Sequence, residues 1–272
     1  MPAPTDSITR SARRASESAA ARGLARGGLA ARGVIYILIG WVAVAIALGV
    51  GHGEADQRGA LQLLAGHPLG IVLLWLLGIG FAGYALWRFS EAVFGVTGEG
   101  TGAGPRLKSV ARGVVYAAFA VTTFQVIGGA RKSQAGQQQD WSAKAMHHSY
   151  GRWLVGIVGV IIVIVGVALI VEGVKSEFMK HMQTAQMSSR TRRIVEWLGK
   201  IGTAARGAVI VLAGALVIDA AVTYRPSKAG GIDKALLTLR GQPFGEALLI
   251  LAALGLVVFG SYGLCEARWR KI

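Results

Sequence analysis

Residues 31–50 read ARGVIYILIGWVAVAIALGV, in which Arg32 is followed by eighteen residues without a charge. The opening recurs twice: residues 111–116 are ARGVVY and residues 205–210 are ARGAVI, each again leading into an apolar run. Crossing a hydrocarbon core of about 30 Å takes about 20 helical residues. Each copy therefore marks the entry of a transmembrane helix, and the chain is read as three tandem units.

Two further markers keep register with the first. Residues 66–70 (GHPLG), 148–151 (HSYG) and 241–245 (GQPFG) each precede a second apolar run, and their last glycines lie 38, 39 and 39 residues after the three arginines. A glutamate then closes each second run: Glu91, Glu172 and Glu266, always 21 residues after that glycine. The six apolar runs, near 33–51, 69–89, 113–130, 153–171, 207–223 and 246–264, predict an all-α polytopic membrane protein. Two spans per unit make the three hairpins enter the membrane in one common direction, so the repeats are parallel and a quasi-threefold bundle is the expected packing. Glycines such as Gly78, Gly80, Gly83, Gly156 and Gly159 predict close helix approach.

Composition supports this reading. The 272 residues are 53% hydrophobic and 16% charged, and the mean hydropathy is +0.50, values that depart from those of soluble domains. The net charge of +15 is spread between apolar runs rather than gathered into an aromatic-interleaved patch, so no nucleic-acid partner is expected. With their flanking span ends, the N-terminal tail, the second and fourth connections and the C-terminal tail hold 19 Lys and Arg, against 9 for the other three connections. By the positive-inside rule both termini face the cytoplasm, in a multi-pass protein of the cytoplasmic membrane. No apolar stretch precedes Val34, so the first run is read as a retained helix rather than a cleaved leader.

The predicted organisation is a basic cytoplasmic tail (1–30), repeat 1 (31–95), repeat 2 (111–175), a basic connection (176–204) and repeat 3 (205–272). Within that connection Ile194, Trp197, Leu198 and Ile201 recur at helical spacing beside Arg192, Arg193 and Lys200. This predicts an amphipathic helix lying on the anionic lipids of the inner leaflet, where a soluble protein partner could also dock.

With its ARG openings and glutamate closings, the triple hairpin resembles the bacterial membrane family catalogued as domain of unknown function 1206, from about Leu24 to Lys271. The resemblance implies an integral membrane protein with no assigned activity. The third copy departs from the pattern, carrying Ile210 where the others carry Tyr36 and Tyr116.

An odd span begins and an even span ends on the same face, which sets Arg32 and Glu91, Arg112 and Glu172, and Arg206 and Glu266 at one level. Charges at that depth are costly unless paired, and arginine grips a carboxylate through two parallel hydrogen bonds. The pairs are expected to fasten each hairpin, to fasten neighbouring repeats, or to gate a central pathway. Gln125 and Asp219, each 13 residues after its arginine, form the candidate intramembrane polar site. Tyr36, Tyr116, Trp87, Trp153 and Trp269 fit an aromatic belt at the membrane interfaces. His52, His67, His147 and His148 fall in outer connections without the spacing of a zinc site. Cys265 is a lone thiol, and no P-loop, dinucleotide fingerprint or GxSxG motif is present. The expectation is a non-enzymatic membrane scaffold or accessory protein that needs no cofactor or metal. Solute or ion passage through an Arg–Glu gate is the alternative, and a membrane enzyme comes third.

Overall fold

The computed structural model describes residues 19–50, 54–66, 68–94, 103–129, 134–146 and 150–271. Nine α-helices are found among them: α1 (Ala19–Ala47), α2 (Gln57–Ala65), α3 (Pro68–Phe94), α4 (Ala103–Ile127), α5 (Gln134–Met146), α6 (Gly151–Val174), α7 (Ser189–Val222), α8 (Ile232–Arg240) and α9 (Gly245–Trp269). The six longer ones, α1, α3, α4, α6, α7 and α9, are long and apolar enough to cross a membrane. Their exposed surface is apolar, with Leu69, Leu76, Ile157, Ile164 and Leu251 each at least half exposed. Lipid-facing surface has this character, since polar and charged side chains are costly in hydrocarbon.

Each repeat has the same plan, two spans joined by a short helix (α2, α5 or α8). The turn out of that short helix explains the glycine that ends the second marker. A Cβ at Gly70, Gly151 or Gly245 would overlap the carbonyl of Leu64, Ala145 or Arg240 respectively. The side chain is excluded by the backbone itself, so the same residue recurs at the same place in all three copies.

The spans follow one another in chain order around a ring left open between α4 and α6, and the tightest seams join different repeats. α6 packs most extensively on α7, then α1 on α9 and α3 on α4, whereas contact within a hairpin, α1 with α3 and α7 with α9, is smaller. Small residues cause this preference. A Cβ at Gly166 would lie 2.9 Å from the Gly207 carbonyl, and one at Gly33 would lie 2.7 Å from the Gly260 carbonyl, so backbones meet where no side chain could fit. At the third seam aromatic rings fill the notches instead, Phe89 against Gly113 and Phe124 against Gly78. The second repeat departs from the other two, because α4 and α6 scarcely touch.

The basic connection differs from its expected form. α7 is one uninterrupted helix of 34 residues, about 50 Å long at 1.5 Å per residue. The stretch holding Ile194, Trp197, Leu198 and Ile201 is therefore the first half of a spanning helix rather than a separate surface helix. No proline interrupts it, and Gly199 and Gly202 serve as contacts, facing Phe178 and Phe259. The true elbow is the stretch before it, where the 3₁₀ turns Glu177–His181 and Thr184–Gln186 lie. That elbow is tied to the end of α9 by Gln183 N–H donating to the Trp269 carbonyl at 2.7 Å and Lys271 N–H to the His181 carbonyl at 2.9 Å.

Candidate functional site

The three marker arginines lie within their helices rather than at the first turns, because α1, α4 and α7 begin well before them. Arg32 sits near the ring interior, 13% exposed, and donates to Glu266 of α9. Glu266 also receives Arg270, four residues on along its own helix. Glu91 pairs instead with Arg88, one turn back, at 2.6 Å. Of the three expected level-mates, none is thus joined within its own repeat: Arg32 crosses to repeat 3, Glu91 and Glu266 each take a neighbour on their own helix, and Arg112 and Glu172 form no ion pair with each other. The reason is the packing order, since the seam of α1 with α9 brings the first and last repeats closer than either hairpin's own helices.

Tyrosines complete the arrangement. Arg206 Nε donates to the Tyr36 hydroxyl at 2.9 Å, with its guanidinium 4.8 Å from the Phe259 ring centre. Arg32 donates to the Tyr116 hydroxyl at 3.4 Å. Arg88 is 2% exposed; it donates twice to the Tyr84 hydroxyl, at 3.0 and 2.7 Å, and stacks 4.4 Å from the Trp87 ring centre. Tyr36, Tyr116 and Trp87, expected in an outer aromatic belt, are therefore turned inward and buried. Their hydroxyls and ring faces compensate cations that would be costly in isolation. Arg88 and Arg270 were not singled out as site residues from the sequence, although Arg88-x-x-Glu91 and Glu266-x-x-x-Arg270 have the spacing of helical ion pairs.

These groups surround a cavity of about 570 Å³ on the face where the even spans end, within the range of small-ligand sites. Its walls come from α1, α3, α4, α6, α7 and α9, with Glu177, Phe178 and His181 of the elbow at its rim. Tyr36, Tyr84, Tyr116, Phe119, Phe259 and Tyr262 supply its aromatic lining.

The candidate polar pair lies elsewhere. Gln125 is exposed in the last turn of α4, and Asp219 occupies the last turn of α7, its carboxylate 2.7 Å from Lys228 Nζ in the following turn. Counting 13 residues from arginines that are already inside their helices carries both residues to the opposite rim of the bundle. Of the four outer histidines, His52, His67, His147 and His148, all lie outside the described residues.

Comparison with known proteins agrees with the repeat. The family described as Domain of Unknown Function (DUF1206) matches three times, at residues 27–95, 107–176 and 201–270. The chain is 32% identical over 248 residues, 90% of each chain, to an uncharacterized protein of Bacillus subtilis (strain 168), YxxB. No solved structure matches.

Proposed function

We propose that this chain, which belongs to the DUF1206 family, is a non-catalytic scaffold or accessory protein of the cytoplasmic membrane, with both termini inside. The observation that carries this reading is the filling of the ring interior. Away from the basic face, Ile39, Ala43, Leu74, Leu249, Ala253 and Leu256 of α1, α3 and α9 are essentially inaccessible, an apolar packing among the described residues that suits a scaffold better than a polar path. Gln125 and Asp219, the polar groups a path would need, stand at the far rim. The orientation follows from the basic excess on the face that carries the arginines.

One observation favours the second reading, passage of a solute or ion: the cavity has the Arg32–Glu266 pair in its wall, as a closed gate would. Flux into proteoliposomes separates the two. The full chain is expected to give no uptake of rubidium, chloride or phosphate above protein-free vesicles. Saturable uptake that Glu266→Gln accelerates would overturn the scaffold reading in favour of a gate.

A further inference from the structure

The arginines of the three copies follow a cyclic rule that fails at one place. Arg32 of repeat 1 reaches Tyr116 of repeat 2, and Arg206 of repeat 3 reaches Tyr36 of repeat 1. In each case the acceptor is the residue four positions after the next copy's own arginine. By that rule Arg112 of repeat 2 would reach residue 210, which is Ile210 and cannot accept a hydrogen bond. Arg112 pairs with no carboxylate among the described residues, nor does Lys108, one turn earlier on α4. Both side chains are exposed and line the cavity.

The same wall is where the ring is open. α4 and α6 scarcely touch, yet residues of both line the cavity, so the cavity reaches the space between them. The composition of this gap changes with depth. Lys108 and Arg112 stand near the basic face, and Val115 and Phe119 of α4 lie opposite Val165 and Leu169 of α6 farther in. From Lys108 to Phe119 the helix rises about 16 Å, roughly half of a hydrocarbon core. Charge is also left over: six Lys and Arg line the cavity against three glutamates, and Glu91 neutralises Arg88 from just outside, leaving two cations in excess among the described residues.

We propose that this cavity binds a membrane lipid with a phosphate monoester headgroup, which enters sideways between α4 and α6. The phosphate, carrying about −1.5 to −2 charges, sits between Lys108, Arg112 and Arg206; guanidinium groups match phosphate oxygens two at a time. The acyl chain lies along Val115, Phe119, Val165 and Leu169. Free phosphate would satisfy the cations but leave the apolar half of the gap unfilled, and this decides for a lipid.

The test uses the full chain in a neutral detergent, titrated with dioleoyl phosphatidic acid, dioleoyl phosphatidylcholine or inorganic phosphate, with bound species counted by native mass spectrometry. Phosphatidic acid is expected to be retained as a single adduct at least about tenfold more tightly than phosphatidylcholine. Replacing both Lys108→Gln and Arg112→Gln is expected to remove that preference while leaving the lipid-free melting temperature unchanged, since both side chains are exposed and form no ion pair among the described residues. Ala168→Trp, which places a large ring in the gap, is expected to weaken phosphatidic acid binding and spare that of inorganic phosphate. Equal binding of the two lipids, or full phosphatidic acid preference in the folded double variant, would overturn the proposal. Inorganic phosphate binding as tightly as phosphatidic acid would overturn the lipid assignment.

Discussion

Glu266 is 4% exposed and accepts from two arginines, Arg32 across the ring and Arg270 along its own helix. A carboxylate so placed has given up its hydration and is compensated, among the described residues, by those two partners. Removing its charge leaves two part-buried guanidinium groups, each 13% exposed, opposed, and breaking a buried pair costs about 3–5 kcal/mol, an upper bound here. Glu172 holds the equivalent sequence position but is half-buried and enters no ion pair among the described residues. Glu266→Gln is thus expected to lower stability by up to about 3–5 kcal/mol and Glu172→Gln by about 0.5 kcal/mol or less, as read from chemical unfolding in mixed micelles. Equal losses would show that the repeat register, and not the local pairing, governs these residues. The sequence placed both glutamates at one level; it could not choose their partners, because Arg88 and Arg270 compete from three and four residues away and local pairs form at little entropic cost.

At the scale of the element, α6 shows how two glycines in one helix differ in meaning. A Cβ at Gly166 would come 2.8 Å from the Val211 amide nitrogen and 2.9 Å from the Gly207 carbonyl, whereas one at Gly156 would meet only the Ala221 methyl at 3.7 Å. Gly166→Ala must separate two backbones and is expected to cost about 1–3 kcal/mol, the range for overpacking. Gly156→Ala is expected to be neutral or stabilising, since alanine is the better helix former by up to about 1 kcal/mol. Thermal unfolding of the two variants in one detergent checks the contrast. Six helices and their grouping into three repeats were legible from apolar run length and repeat spacing; of the glycines expected at close approaches, a Cβ at Gly159 would meet the Gly214 carbonyl at 3.1 Å but one at Gly156 meets no backbone. The start of α7 was not: Ser189 to Ala204 reads as polar surface helix by composition, and only the absence of a proline or a turn signal hints that it continues into the membrane. The short helices α2 and α8 were also missed, since nine residues of mixed character are hard to tell from loop by periodicity.

For the whole molecule, the first and third repeats are joined at both faces. On the basic face the link is Arg32 with Glu266; on the other, the Ala55 amide donates to the Asp233 carboxylate at 2.8 Å. Beside that bond Asp56 caps α2, accepting from the Gly59 amide at 2.9 Å. Burial, with smaller contributions from the charges of Glu54 and Asp233, pushes the Asp56 carboxyl up to about 6 from 3.8; burial also raises Asp233. An acid whose pKa is raised in the fold favours folding while it is protonated. Stability is therefore expected to be greatest below about pH 4 with respect to these groups and to fall as the pH rises through about 6, by up to about 3 kcal/mol for Asp56. Asp56→Asn, which retains a capping oxygen, is expected to flatten that slope and to raise the melting temperature at pH 7.5; an unchanged slope in a pH series of melts would contradict it. Ring closure itself was invisible to a reading by hairpins, because it depends on which glycine faces match, as Gly33 matches Gly260, and not on distance along the chain.

That closure bears on how the protein is made. The ribosome releases α1 long before α9, and at roughly 5–20 residues per second the roughly 200 residues between them take on the order of 10–40 s. Throughout that interval the face of α1 bearing Gly33 and Gly40 lacks its mate. A nascent chain of this design must either keep that face shielded within the insertion machinery or tolerate its exposure to lipid, and its assembly ends only when the last helix docks against the first.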